Sequence, residues 1–301
     1  MAKIFSADYY EFSLSRSNYL LRLLINSVST FKVFRKNYSV IFVQNPSMAL
    51  AGLAVFLNTI FGKKLVVDAH NAGILPFDGR FKLLIVINNF ILRHADLVIV
   101  SNKSLCTGLQ RVGVRSVAMP DPLPEVNFPI ETIVQSEKMD VFIICSWSDD
   151  EPIDLYFAIA RRFPDLKIGI SGKFTKWVKY RAVSNPDNLT LLGFVAEADY
   201  FKHLSDSRII IDLTTRNDCL VCGAYEAISV GVPIIVSDTD VNREIFSKGV
   251  VYTKCNECSL VEALKFALAN EVELRSDVSA LRHTLTVREN KNRNVILSML
   301  D

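Results

Sequence analysis

The feature that most constrains this chain is the run at positions 209–238, IIIDLTTRNDCLVCGAYEAISVGVPIIVSD. It opens with an apolar β-type segment, residues 209–213, and closes with another, residues 234–236. Between them a polar loop leads into a segment of helical composition that stops at Gly231 and Pro233. Strand, loop, helix, glycine stop and strand read as one βαβ unit, which closes with a right-handed crossover. A parallel sheet with helices on its faces follows. The loop, residues 214–218, then falls at the carboxyl end of its strand, where open parallel sheets bind ligands. Glu226 lies inside the predicted helix, and Asp218 stands eight residues upstream, just before its first turn. A carboxylate on the inner side of a helix needs a hydrogen-bonding partner, and a pair of ligand hydroxyls would supply one.

The rest of the chain repeats this grammar. Before the central unit, β-type runs fall at 39–43, 65–68, 97–100 and 116–119, with helical segments at 47–61, 80–94 and 103–112. Met119-Pro120-Asp121-Pro122-Leu123-Pro124 is a break that neither a helix nor a central strand can include. With the polar stretch to about residue 138 it reads as a linker. Beyond it, strands are predicted at 141–145, 166–170 and 189–192, and helices at 150–163, 174–183 and 196–205. Pro152 falls in the first turn of the 150–163 helix, and Asp149, Asp150 and Glu151 stand near its positive end. After the central unit come a helix at 242–246, a strand at 250–252, a helix at 259–269 and one or two helices over 273–300. The expected fold class is α/β, with two doubly wound parallel-sheet domains. A length of 301 residues, half of them hydrophobic, suffices for two such cores. The predicted division is 1–125, 138–272 and a C-terminal helical segment, 273–301.

Charge and hydropathy narrow the partners. The net charge is +2 with no long run of one sign, which excludes nucleic acid as the main partner. Residues 1–15 lack the apolar core of a secretory signal. No apolar stretch reaches membrane-spanning length; residues 48–61 come nearest and are broken by Asn58 and Thr59. A cytoplasmic protein, soluble or peripheral on the inner membrane face, is the expectation. Residues 19–36 have apolar positions at helical spacing, carry Arg22, Lys32, Arg35 and Lys36, and contain no acidic residue. That suits an amphipathic helix lying on an anionic membrane, and equally a core helix with a basic exposed side.

The residues Asp218, Glu226-Ala227 and Gly231-Val232-Pro233 resemble the donor-binding motif of the retaining glycosyltransferases of family 4, which have the GT-B fold. Weaker likeness extends to Val67-Asp68-Ala69-His70-Asn71, to residues 95–101 and to Leu192-Gly193-Phe194-Val195. The resemblance implies a GT-B arrangement of two Rossmann-like domains, with the tail crossing back to the first. It also implies transfer of a sugar, with retention, from a nucleotide diphosphate donor to a surface-glycan or lipid-linked acceptor. Two rivals stay open: a sugar-nucleotide epimerase on the same fold, and a non-catalytic, partner-dependent subunit.

Residue by residue, the resemblance gives His70 a place near the donor sugar and leaving phosphate. Asp218 faces the sugar or the phosphate loop, and is one methylene shorter than the glutamate usual there. Glu226 takes the ribose hydroxyls, and Gly193, Phe194 and Val195 receive the nucleobase. Cys219 and Leu220, at the start of the same helix, complete the donor-binding set. The family's arginine and lysine after the second domain's first strand are absent from Ser146-Trp147-Ser148-Asp149-Asp150-Glu151. Lys173 and Arg216 are the expected substitutes, helped by backbone N–H groups after Asp218. No Asp-x-Asp motif stands where a metal would be expected, so neither a catalytic ion nor a cofactor beyond the donor is anticipated. The family's glycine-rich N-terminal loop also has no counterpart before Gly52. A shortened first domain is therefore expected, with a protein partner able to complete its acceptor side.

Two residue types remain. Cys219-x-x-Cys222 and Cys255-x-x-Cys258 have the spacing of a tetrahedral zinc site, yet residues 223–254 between them already form a βαβ element. Small buried hydrophobes are the preferred reading, ahead of zinc or a disulfide. His94, His203 and His283 fall in predicted helices and read as structural or solvated, unlike His70 in its strand-end loop.

Overall fold

The computed structural model describes residues 2, 4–11, 19–44, 47–69, 71–74, 76–126, 138–176, 185–217 and 219–300. It contains two compact units, one of residues 1–121 with 289–301 and the other of residues 122–288. Both are α/β with parallel sheets of the Rossmann-like kind.

The first unit runs α1 (Tyr19–Phe34), β1 (Val40–Gln44), α2 (Met48–Phe61), β2 (Lys64–Asp68), the single turn α3 (Asn71–Ile74), α4 (Lys82–Arg93), β3 (Leu97–Val100), α5 (Lys103–Arg111) and β4 (Ser116–Ala118). Its four strands pair in parallel in the order β1-β2-β3-β4. Successive side chains of a strand point to opposite faces, so apolar runs such as LVIV serve two cores at once. Leu65, Val67, Val98 and Val100 pack on one side with Ala54, Leu57 and Leu92. Val66, Leu97 and Ile99 pack on the other, where Ile296 and Leu300 join them. Local chemistry sets the helix ends. Ser47 caps α2 by accepting the Leu50 N–H, and Gly62, at φ 60°, ends it.

The second unit runs β5 (Val141–Ile143), α6 (Ile153–Arg162), β6 (Ile168–Ser171), β7 (Leu189–Gly193), α7 (Glu197–Asp206), β8 (Ile209–Asp212), α8 (Cys222–Val230), β9 (Ile234–Ser237), α9 (Asp240–Ile245), β10 (Val250–Thr253), α10 (Glu257–Ala269) and most of α11 (Glu271–Leu300). All six strands are parallel, in the order β10-β9-β8-β5-β6-β7. The chain winds away from β5 in both directions, so the sheet has a switch point between β5 and β8. There the following loops diverge and leave a crevice at the strands' carboxyl ends.

Three details differ from the sequence reading. The helix expected over 150–163 begins at Ile153, with Pro152 as its N-cap residue. The three acids before it therefore belong to a loop, because Pro152 fixes the chain just ahead of the helix. Over 174–183 a 3-10 turn, Phe174–Lys176, is seen, and residues 177–184 lie outside the described residues. The run 273–300 is a single helix that starts at Glu271. Among the described residues no helix is long and apolar enough to cross a membrane.

Candidate functional site

A cavity of about 610 Å³ opens in the second unit at the switch point. Its wall is built from the segments after β5, β6, β7 and β8, together with the first turns of α8.

The entry to α8 depends on one glycine. The Gly223 N–H donates to Asp212 Oδ2 at 2.9 Å. A Cβ on Gly223 would stand 2.4 Å from that oxygen and 2.4 Å from Ile144 Cδ1. The helix can therefore approach the end of β8 only where it has no side chain. Asp212 itself is buried. Burial pushes its carboxyl up to about 7 against the help of the Gly223 N–H, and the carboxylates of Glu151, Glu226 and Asp150 push the same way. One turn along α8, Glu226 accepts the Tyr200 hydroxyl on Oε2 at 2.5 Å. Burial raises the Glu226 carboxyl, and the Tyr200 O–H opposes it. Tyr200 is held edge-on to Phe142 of β5, with ring centroids 5.7 Å apart.

The loop after β5 is held by Trp147. Its indole is buried, and Nε1–H donates to the Ser171 carbonyl at 2.9 Å. The backbone there takes φ 61°, which turns the chain back on itself. The Ser146 and Ser148 N–H groups both reach the Glu151 carboxylate, at 2.8 Å each. Asp150 ties this loop to the one after β8, accepting Ser148 Oγ–H at 2.7 Å and Thr214 Oγ1–H at 2.9 Å. Burial pushes the Asp150 carboxyl up, but these hydrogen bonds and the charge of Arg216 outweigh it and hold it below its usual range. Gly172, at φ +92°, lets β6 pass the Cys145 carbonyl, which a Cβ would meet at 1.8 Å.

Of the residues singled out from sequence, Lys173, Phe194, Val195, Cys219, Leu220 and Glu226 all line this one cavity. Gly193 closes β7 at φ +71°, and its carbonyl accepts the Gly172 N–H at 2.8 Å. It lies beside the lining. Arg216 is exposed on the loop after β8, and it too is not part of the wall. His70 and Asp218 lie outside the described residues. Sequence reasoning missed Glu151, Asp212 and Tyr200. Glu151 was hidden in an acidic run that suggested a helix end, and Asp212 reads simply as the end of a strand. Tyr200 reaches Glu226 from another helix, and no spacing signals such a pair.

The cysteines need a correction. Cys106 and Cys145 are buried, but Cys222 and Cys258 are exposed, so the small-hydrophobe reading fails for those two. Both occupy first turns of helices, α8 and α10, where the side chain points out of the core. Among the described residues no group of three or more His, Cys, Asp or Glu side chains could hold a metal ion. His203 is buried and stacks on Phe142 at 5.6 Å and 9°, and burial lowers its imidazole.

Residues 154–301 match the family model described as glycosyl transferase-like. No curated protein matches the chain in sequence. Among solved structures, sucrose-phosphate synthase from Thermosynechococcus elongatus is similar with a TM-score of 0.70 at 15% identity, over 96% of this chain and 80% of that one. Anabaena HepE in complex with UDP and glucose gives 0.69 at 16%, over 94% and 84%. A UDP-N-acetylglucosamine 2-epimerase described as putative, from Listeria monocytogenes, gives 0.59 at 15%, over 92% and 79%. The chain thus has the two-domain α/β fold of GT-B glycosyltransferase structures, and its C-terminal half carries a glycosyl transferase-like sequence.

Proposed function

We propose that this chain is a glycosyltransferase that moves a sugar, with retention, from a nucleoside diphosphate donor to a glycan or lipid-linked acceptor. The observation that carries the reading is the switch-point cavity, into which α8 delivers Glu226. Tyr200 engages Oε2 and fixes the carboxylate, leaving Oε1 to accept from a ribose hydroxyl. The nucleobase would lie along Gly193, Phe194 and Val195, the last two of which line the wall. Cleaving the sugar–phosphate bond builds negative charge on the diphosphate, which N–H donors and a cation stabilise. Lys173, which lines the wall, takes that role in this reading, while Arg216 answers the charge of Asp150 instead. His70 and Asp218 keep their assignment to the reacting end. UDP and glucose bound to HepE, a protein of the same fold, support a uridine diphosphate sugar as the first donor to try.

Calorimetric titration with UDP tests the assignment. Glu226→Ala should weaken binding by about 1–3 kcal/mol, the scale for losing a hydrogen bond to a charged group. Unchanged UDP affinity in that variant would sink the reading. Conversion of a UDP-sugar to its epimer without acceptor would replace transfer by epimerisation.

We further propose that the first unit contacts a membrane surface, as a lipid-linked acceptor requires. Helix α4 supports this, because it is apolar on two sides: it buries Leu92 together with Asn88, and it exposes Leu83, Val86, Ile87 and Phe90, four residues on one stripe. Its neighbour α2 exposes Phe56 and Ile60, and α1 exposes Leu24, Val28 and Phe31. None of these three helices contains an acidic residue. Exposed apolar residues beside lysines and arginines match the interface of an anionic bilayer.

A further inference from the structure

In the loop after β5 an anion cradle is already filled by the chain's own carboxylate. Glu151 accepts the Ser146 and Ser148 N–H groups at 2.8 Å each and the Ser146 hydroxyl at 3.2 Å, and the Cys145 thiol approaches at 3.4 Å. Backbone N–H groups that converge in this way form a concavity suited to a carboxylate or a phosphate, while the Trp147 N–H between them goes to Cys145 Sγ at 3.3 Å. The shape of the cradle has a second support besides Glu151. Trp147 holds the reversed backbone at φ 61° through its buried indole and its bond to the Ser171 carbonyl. A non-glycine residue in that region is uncommon and persists only where its surroundings fix it.

The cradle opens on the cavity. Ser146, Ser148 and Glu151 all line it, as does Lys173 after β6. The same wall carries Asp150, Asp212 and Glu226, so carboxyl groups outnumber the lysine. An incoming diphosphate therefore meets a site of the wrong sign, whose best N–H donors are taken.

We propose that Glu151 is an internal stand-in for a phosphate. It holds the N–H cradle when the site is empty and must swing out before the diphosphate of a nucleotide can seat. Rotation of its side chain suffices, since Glu151 precedes Pro152 and α6 need not move. Phosphate recognition is then uncoupled from nucleoside recognition, and Glu151 sets how strongly the site prefers a diphosphate. The identity of the nucleotide rests on the proposed function, whereas the cradle can be probed without it.

The full chain, Glu151→Gln and Glu151→Ala would each be titrated with inorganic pyrophosphate, UDP and uridine, with unfolding midpoints checked first. Glu151→Ala should bind pyrophosphate about tenfold or more tighter than the parent, because hydrogen bonds that the freed N–H groups donate to an anion are among the stronger ones. Glu151→Gln keeps the length and loses the charge, so it should fall between and keep the test alive if the alanine variant is unstable. UDP should gain by a similar factor, while uridine changes by less than about twofold. Equal pyrophosphate affinity in the folded proteins overturns the proposal, and so does a gain for uridine as large as that for pyrophosphate. A pyrophosphate gain in variants that bind neither UDP nor uridine supports the cradle and overturns the nucleotide reading instead.

Discussion

Helices α4 and α8 each turn one polar side chain inward among apolar neighbours, and they differ in what that side chain meets. α8 buries Ala224, Tyr225, Ala227 and Ile228 and keeps its one charged side chain, Glu226, half-buried at a cavity wall. α4 buries an amide, Asn88, beside Leu92, and leaves Leu83, Val86, Ile87 and Phe90 to solvent. The buried Asn88 is satisfied within the fold, since its Nδ2 donates to the carbonyls of Gly73 at 2.8 Å and Ile74 at 3.2 Å. The Glu226 carboxylate has one hydrogen-bond partner on the protein, Tyr200, among the described residues, and faces a space that a ligand can fill. A polar group turned inward serves structure in one helix and, on the proposed function, binding in the other. What separates the two is whether its hydrogen bonds end on the chain.

The largest effect expected from this contrast is electrostatic and lies beneath α8. Asp212 keeps its proton to about pH 7 in the folded chain, and to about pH 4 when unfolded. The folded state therefore holds more protons between these values, so this contribution is complete below about pH 4 and is lost as pH rises through about 7. Asp212→Asn can still accept the Gly223 N–H through its amide oxygen but cannot ionise. Relative to the parent, it should gain about 2–3 kcal/mol between pH 5 and pH 8.5, read from urea unfolding at each pH. Parallel pH profiles for the two proteins would show that Asp212 does not titrate in this range.

The next effect sharpens the difference between the two inward polar groups. Asn88→Leu leaves the Gly73 and Ile74 carbonyls without their donor, which costs about 1–3 kcal/mol. Glu226→Gln keeps an acceptor for Tyr200 and removes a charge that burial already disfavours, so its unfolding free energy should stay within about 0.5 kcal/mol of the parent. Equal losses in both variants would put Glu226 in the structural class with Asn88.

Much of the fold was legible because continuous apolar strands and terminating residues carry local signals. Gly231, at φ +79°, ends α8 with its N–H on Ala227 and Ile228, where the sequence placed a helix stop. The segment after β5 was legible only as an absence, since Ser146–Trp147–Ser148 lacks the arginine and lysine of the resembling family. That its backbone would grip Glu151 depends on Trp147 at positive φ, a conformation that no residue pattern announces. Tyr200 meets Glu226 across two helices, and Asp212 becomes unusual only through burial and neighbouring carboxylates, so both are consequences of packing. α4 was predicted as a helix, but periodicity records that apolar positions repeat and is silent on which stripe faces the core.

The smallest stability effect carries the most information about α4. Leu83 is 70% exposed and Phe90 60%, so Leu83→Ser with Phe90→Ser removes little packing and should shift unfolding by less than about 0.5 kcal/mol per site. If these side chains enter a bilayer interface, each contributes on the scale of burying a large apolar residue, about 1.5–3 kcal/mol. The double variant should then lose most of its binding to vesicles containing anionic lipid, measured by co-sedimentation, while UDP titration in the second unit is unaffected. The loss should exceed that produced by removing basic charge at Lys82 and Arg93, because screening weakens an exposed lysine or arginine at physiological salt and leaves apolar burial intact. Vesicle binding that survives the double variant and vanishes in high salt would assign the contact to charge alone. In that case the exposed apolar stripe of α4 would belong to a protein partner.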